Sequence, residues 1–182
     1  MTKRVVIIGA GAAGLMAADV LSRAADVVVD VYEAKPSVGR KLLMAGKGGL
    51  NITHSEPFAD FIQRYDQPEW LSPMLAQFDS NDIRAWMKSL HVDSFVGTSG
   101  RIFPSEMKAA PLLRHWLADL KSRDVRVHCR RYWCGFTDDG GLRLAHSNET
   151  QTVHADATIL ALGGGSWASM GSDGIWFDVL AA

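Results

Sequence analysis

Glycines stand at 9, 11 and 14, spaced Gly-x-Gly-x-x-Gly, between a β-branched run and a helical pattern. A glutamate, Glu33, follows nineteen residues after the third glycine and closes a second β-branched run. Residue types at this spacing can hold a dinucleotide. Gly9 permits the tight strand-to-helix turn, Gly11 lets backbone approach a pyrophosphate, and Gly14 lets helix and strand pack closely. The amides and dipole of the helix start then face the anion. A carboxylate ending the second strand accepts hydrogen bonds from both ribose hydroxyls and repels a 2′-phosphate, which disfavours NADP here and leaves FAD or NAD. The competing reading is a plain turn with an exposed glutamate. Strand, turn, helix and acid in register argue against it.

Other chemistries find less support. "AGKGGLNITH" (45–54) has the composition of a phosphate loop, but a Walker A motif needs Gly-Lys-Ser/Thr, and Gly48 follows Gly46-Lys47. Gly164-Gly165-Ser166-Trp167-Ala168 falls one glycine short of a nucleophile elbow and has no Asp/His partner pattern. The six histidines are scattered without metal-ligand spacing. Asn51-Ile52-Thr53 is a glycosylation sequon, meaningful in a secreted chain alone. Asp138 and Asp139 beside Gly140-Gly141 read as hairpin chemistry. Cys129 and Cys134 form no CxxC pair, and on one strand their odd separation points them to opposite faces. A reduced, cytoplasmic setting is the expectation.

The elements that must position these residues follow from the hydrophobic pattern. The chain has 182 residues, 47% of them hydrophobic and 21% charged, with a net charge of −1. That is enough chain for one domain with a real core, and too little basic surplus for non-specific binding to nucleic acid or an anionic membrane. The N-terminus mimics a signal peptide, with Lys3 and Arg4 before an apolar run, but Gly9, Gly11 and Gly14 interrupt that run. No stretch approaches the roughly 18 apolar residues of a membrane span.

Residues 4–8 and 27–33 read as buried strands around a helix at 13–25, whose inner face is Leu15, Ala18 and Leu21. Residues 34–55 look loop-rich. Helices are expected at 68–78 and 80–90, the second capped by Ser80 or Asn81 and carrying Ile83, Trp86, Met87 and Leu90 on one face. After a turn at "TSGRIFP", a helix begins near Pro111 with Leu112, Leu113, Trp116, Leu117 and Leu120 inward. A strand at 125–129 precedes a three-stranded meander, "RYWCGF", "LRLAHS" and "TVHAD", and a last strand runs through 157–165. The expected fold is one α/β Rossmann-like domain over 1–182. It has a parallel sheet, a β-meander crossover and a small helical insertion at about 55–108.

Past Glu33 an NAD-specific unit would proceed to a crossover helix, whereas this chain makes a glycine-rich excursion through Gly39-Arg40-Lys41. FAD- and NAD(P)-binding enzymes of the glutathione-reductase type use such an excursion to reach the flavin. Over its whole length the chain resembles the flavoprotein oxidoreductases labelled aminoacetone-oxidase-family or 3-dehydro-bile-acid-reductase-like. The resemblance rests on "VVIIGAGAAGL", "PSVGRKLLMAGKGGLNITH", "SGRIFP" and "ATILALGGGSWASMGSDG". Many members have Gly-Gly-Gly-Arg-Cys-Asn where this chain has Gly46 to Asn51 as GKGGLN.

The resemblance implies the following roles. Gly9, Gly11, Ala12, Ala13 and Gly14 would contact the pyrophosphate, and Glu33, with Ala34 and Lys35 beside it, the adenosine ribose. Gly39, Arg40 and Lys41 would sit by the phosphates, and Gly46, Gly48 and Asn51 along the ribityl chain. Trp133 would touch adenine through its backbone. Ala161, Leu162 and Gly163 would return to the phosphates, in place of the Ala-Thr-Gly found in many relatives. Lys47 or Arg40 could stabilise negative charge on the flavin, or simply be solvated or paired with phosphate. The implied activity moves hydride between flavin and a small-molecule substrate or NAD(P)H, with no acid/base residue nameable. Related proteins continue past "GSDG" into a substrate domain. The chain therefore reads as an N-terminal portion, a module without its own activity or one that needs a complementing C-terminal chain.

Overall fold

In a computed structural model, residues 1–171 and 173–181 are described. The chain begins β1 (Lys3–Ile8), α1 (Ala12–Leu21), β2 (Val27–Glu33) and α2 (Arg40–Ala45). It continues β3 (Thr53–His54), α3 (Phe58–Phe61), α4 (Pro68–Leu75), α5 (Ser80–Ser89), β4 (Ser94–Val96) and β5 (Arg101–Pro104). Then come α6 (Ala109–Ser122), β6 (Arg126–Cys129), β7 (Tyr132–Phe136), β8 (Leu142–His146), β9 (Glu149–Val153), β10 (Ala157–Leu160) and α7 (Trp176–Ala181). Two compact units result, Met1–Leu42 with Ala118–Ala182, and Leu43–Leu117.

The first unit is built on a four-stranded parallel sheet ordered β10-β1-β2-β6. Its central strands are near-continuous Val and Ile, the pattern of strands covered on both faces, and Val6, Ile7 and Val31 are fully buried. The antiparallel meander β7-β8-β9 covers one face, where Val6, Ile8 and Tyr32 pack with Trp133, Leu142, Leu144 and Val153. On α1, Leu15 and Ala18 are buried as expected, but Asp19 is buried in place of Leu21. Its carboxylate is held by Arg23 at 2.7 Å and Arg123 at 3.1 Å, which makes an acid tolerable there. Helix α1 stops four residues early, because the Arg23 and Ala24 amides turn back to Val20 and Leu21 and tighten the last turn.

Strand β9 begins three residues before the expected "TVHAD". The link from β8 is just Ser147-Asn148, with Ser147 at φ 55° and His146 paired to Glu149. Strand β10 ends at Leu160 rather than running into the glycines. Both cysteines are free. No helix among the described residues is long and apolar enough to cross a membrane.

The second unit contains α4 and α5 near their expected positions. To these it adds a three-stranded antiparallel sheet, β3-β5-β4, in which "TSGRIFP" forms the turn and second strand of a hairpin. The cap of α5 is Asp79, not Ser80 or Asn81. Asp79 keeps an extended backbone and its carboxylate accepts the Asn81 and Asp82 amides, while the Asp82 carboxylate accepts the Asp79 amide. Met87 and Leu90 are buried, and Trp86 meets Trp116 of α6 edge to face at 4.8 Å. Helix α6 starts two residues before Pro111, which sits in a first turn whose amides need no intrahelical partner. In the 45–54 loop, a side chain on Gly46 would meet the Ala109 backbone nitrogen at 2.9 Å, and Gly49 has φ 111°. The Leu50 amide donates to Met107.

Candidate functional site

The first unit's site forms where β1 and β2 end. Gly9 leaves β1 at φ 103°, and a Cβ on it would stand 2.2 Å from the Ala161 carbonyl oxygen just past β10. A Cβ on Gly14 would stand 1.8 Å from the Gly9 carbonyl oxygen, so both positions need glycine for close packing. Gly11 differs. It is the extended N-cap of α1, makes no side-chain cap bond, and has nothing within 4 Å of where a Cβ would be. The helix start therefore carries no side-chain cap and has room beside Gly11, the arrangement that receives an anion.

Glu33 is held by backbone. Its Oε2 accepts from the Ala10 amide at 2.9 Å and its Oε1 from the Lys35 amide at 2.8 Å. A carboxylate has about four acceptor sites, so lone pairs remain for a further donor. The Gly39 amide donates to Ala10 at 2.8 Å with φ 61°, folding the loop after β2 back to the first turn and delivering Arg40. The Arg131 amide donates to the Glu33 carbonyl and fixes the entry to the meander.

Of the residues singled out in the sequence, Gly9, Gly11, Glu33, Ala34, Lys35, Gly39, Arg40, Lys41, Trp133, Ala161, Leu162 and Gly163 line one cleft. Ala12, Ala13 and Gly14 lie in the first turn of α1 and do not line it. Gly46, Gly48 and Asn51 belong to the second unit, where Gly46 is buried and the other two are exposed. Sequence reasoning missed Tyr32, Arg131, Tyr132, Met170, Asp173 and Trp176, which also line the cleft. Asp173 lies in the "GSDG" element that carries part of the resemblance, and Trp176 lies just beyond it.

Lys35, Arg40, Lys41 and Arg131 on this lining face two acids, Glu33 and Asp173, leaving a positive surplus suited to a diphosphate. Burial, and after it the Asp30 charge, pushes the Tyr32 phenol above its ordinary range. Burial followed by Asp173 does the same for Tyr132, so both present neutral rings. Among the described residues, the buried side-chain atoms without a hydrogen-bond partner are Arg40 Nε, Glu56 Oε1, Trp133 Nε1 and Trp176 Nε1. Three of these four belong to residues of the cleft, and all three are donors. An uncapped helix start, a positioned carboxylate, surplus cations and partnerless donors fit an adenine dinucleotide.

Comparison with known proteins bears on the family and the fold. The profile of the HI0933-like protein Rossmann domain matches residues 3–182, and the chain belongs to that family. The flavoprotein-oxidoreductase resemblance in the sequence accords with it. The chain is 31% identical over 174 residues to the 3-dehydro-bile acid delta(4,6)-reductase of Clostridium scindens, covering 94% of this chain and 41% of that protein. It thus spans less than half the length of that relative. Among solved structures it is similar to Thermovibrio ammonificans THI4, at TM-score 0.60 and 15% identity over 93% of this chain and 61% of the other. It is also similar to the open form of a flavocytochrome c3 fumarate reductase, at TM-score 0.62 and 18% identity over 90% and 34%. These two likenesses establish the fold.

Proposed function

We propose that the cleft binds FAD and that the chain is the FAD-binding part of an oxidoreductase, one domain over 1–182 with the second unit as its insertion. The observation that carries this reading is Glu33, fixed by the Ala10 and Lys35 amides beside the open start of α1. Family membership and the named relative, a reductase, support the redox class.

When bound, the flavin supplies the hydride-accepting and hydride-donating chemistry; the protein binds and orients it. Glu33 would take the adenosine ribose hydroxyls. The amides from Gly11 onward, with Arg40 and Lys41, would neutralise the pyrophosphate. The family resemblance would give Gly46, Gly48 and Asn51 the ribityl chain of the flavin. Hydride would pass between flavin and a small-molecule substrate, with NAD(P)H as an electron donor.

A second reading is a dinucleotide-binding module that needs a complementing C-terminal chain for activity. Purified protein titrated with FAD separates the outcomes. Flavin absorbance that stays with the protein and bleaches with NAD(P)H supports both binding and turnover. Retained flavin that bleaches with dithionite alone supports the module. Protein that never takes up FAD rejects the proposal. Glu33→Ala should weaken FAD binding about tenfold, the loss expected when a charged hydrogen-bonding acceptor is removed. Unchanged affinity would remove Glu33 from the ribose.

A further inference from the structure

Trp176 opens α7 and, with Val179, packs onto the core between sheet and meander. Packing alone would make it a structural residue. Its Nε1, however, is sealed from solvent and has no hydrogen-bond partner, and the same holds for Trp133 on β7 and for Arg40 Nε at the start of α2. Buried indole N–H groups ordinarily find an acceptor, and a sealed donor without one is destabilising. The three donors come from separate stretches of chain, yet all three residues line the cleft that Gly11, the N-cap of α1, also lines. A wall rich in donors calls for a ligand rich in acceptors. The diphosphate oxygens and ring nitrogens of an adenine dinucleotide supply them, whereas an apolar ligand would leave every donor orphaned.

We propose that Trp176 is a ligand-binding residue of this cleft, its indole N–H donating to an acceptor on the adenosine-diphosphate half of the bound dinucleotide. The donor that lacks a partner in the free protein gains one on binding. The inference deepens the FAD reading and rests on it.

ADP is the probe, because it is the half shared by FAD and NAD. Trp176→Phe keeps an aromatic ring and removes the donor. By calorimetric titration the variant should bind ADP five- to twentyfold more weakly than wild type. Its ligand-free melting temperature should hold or rise, since a sealed unpaired donor has been deleted. A purely structural Trp176 gives the opposite pattern, a lower melting temperature with unchanged ADP affinity, and that result overturns the inference. In case the variant folds poorly, the wild-type chain gives a second readout. The assigned Trp176 indole N–H resonance should move downfield at saturating ADP, and an unmoved resonance also overturns the inference. Wild-type protein that binds neither ADP nor FAD brings down the functional reading and this inference together. Wild type that binds ADP while Trp176→Phe binds it equally well brings down the inference alone.

Discussion

Strand β2 carries two carboxylates three residues apart, and their surroundings differ in kind. Asp30 is 1% exposed and gripped by side chains, with Arg4 Nε, an Arg126 terminal nitrogen and His128 Nε2 each at 2.9 Å. Glu33 is half-buried and held by two main-chain amides. Around Asp30 the charge is already matched by groups from β1 and β6, so the cluster ties three strands together. Around Glu33 the backbone fixes the orientation but brings no counter-charge, so acceptor capacity remains. A saturated acid reads as structure, and an oriented acid with lone pairs to spare reads as a receptor. The two are not isolated: His128 stacks on Tyr32 at 4.6 Å, and Tyr32 lines the cleft.

Breaking the saturated acid should have the larger effect on stability. Asp30→Asn leaves two arginines without their anion. Removing one partner of a fully buried pair costs about 3–5 kcal/mol, but Arg4 and Arg126 are roughly half exposed and regain water, so about 2 kcal/mol is expected. In a chain of this size that lowers the melting temperature by about 4–8 °C. Burial pushes the Asp30 pKa up, yet the hydrogen bonds from His128 and Arg4 and the charges of Arg126 and Arg4 outweigh it and hold the pKa below 3.8. A depressed folded-state pKa contributes stability above the unfolded value, and that contribution is lost as pH falls through the folded one. Wild type should therefore lose stability below about pH 4, and Asp30→Asn should lack that share of the acid slope. Coincident slopes in acid melts would remove Asp30 from its structural role.

The contrast explains what could be read before folding. Glu33 was legible because it stands at a fixed distance from the glycine turn and at the end of an apolar run, both visible in one dimension. The Asp30 cluster was not, since Arg4 lies 26 positions away and Arg126 lies 96. The parallel register Asp30↔Arg126 is what brings the latter pair together. The α5 cap was missed by one residue because Asp79, Ser80 and Asn81 are all cap formers, and tertiary context decides which stays extended. The β4–β5 hairpin escaped because strands of three and four residues are too short to show an alternation. Nothing in one dimension marks Trp176. Its unpartnered N–H exists once α7 has packed on the meander.

Disturbing the receptor acid should divide stability from binding. Glu33→Gln keeps one acceptor oxygen for a backbone amide and turns the other position into a donor. The expected stability loss is about 1 kcal/mol, the value of one hydrogen bond to a half-buried group. ADP affinity should fall about tenfold, because an amide cannot accept from both ribose hydroxyls. Chemical denaturation and calorimetric titration of the same preparation check both numbers. Equal losses in Asp30→Asn and Glu33→Gln on both scales would erase the distinction between the two acids.

The smallest effect on folding is expected at Gly11, where the cleft end of the sheet has room left over. Its φ of −77° and ψ of −174° are ordinary for alanine, and no atom stands within 4 Å of the added methyl. Alanine is a poorer N-cap than glycine by roughly 0.5–1 kcal/mol, but it lowers the entropy of the unfolded chain by a similar amount. Gly11→Ala should therefore melt within about 2 °C of wild type. The methyl would occupy the space through which a pyrophosphate approaches the α1 amides, so ADP and FAD affinity should drop by at least about tenfold. Asp30→Asn should show the reverse, a weaker fold with near-normal ADP binding once folded. Finding that Gly11→Ala binds ADP as wild type does would mean that the open space at the helix start is not where the diphosphate sits. Glu33 would then be an oriented acid without a ligand beside it.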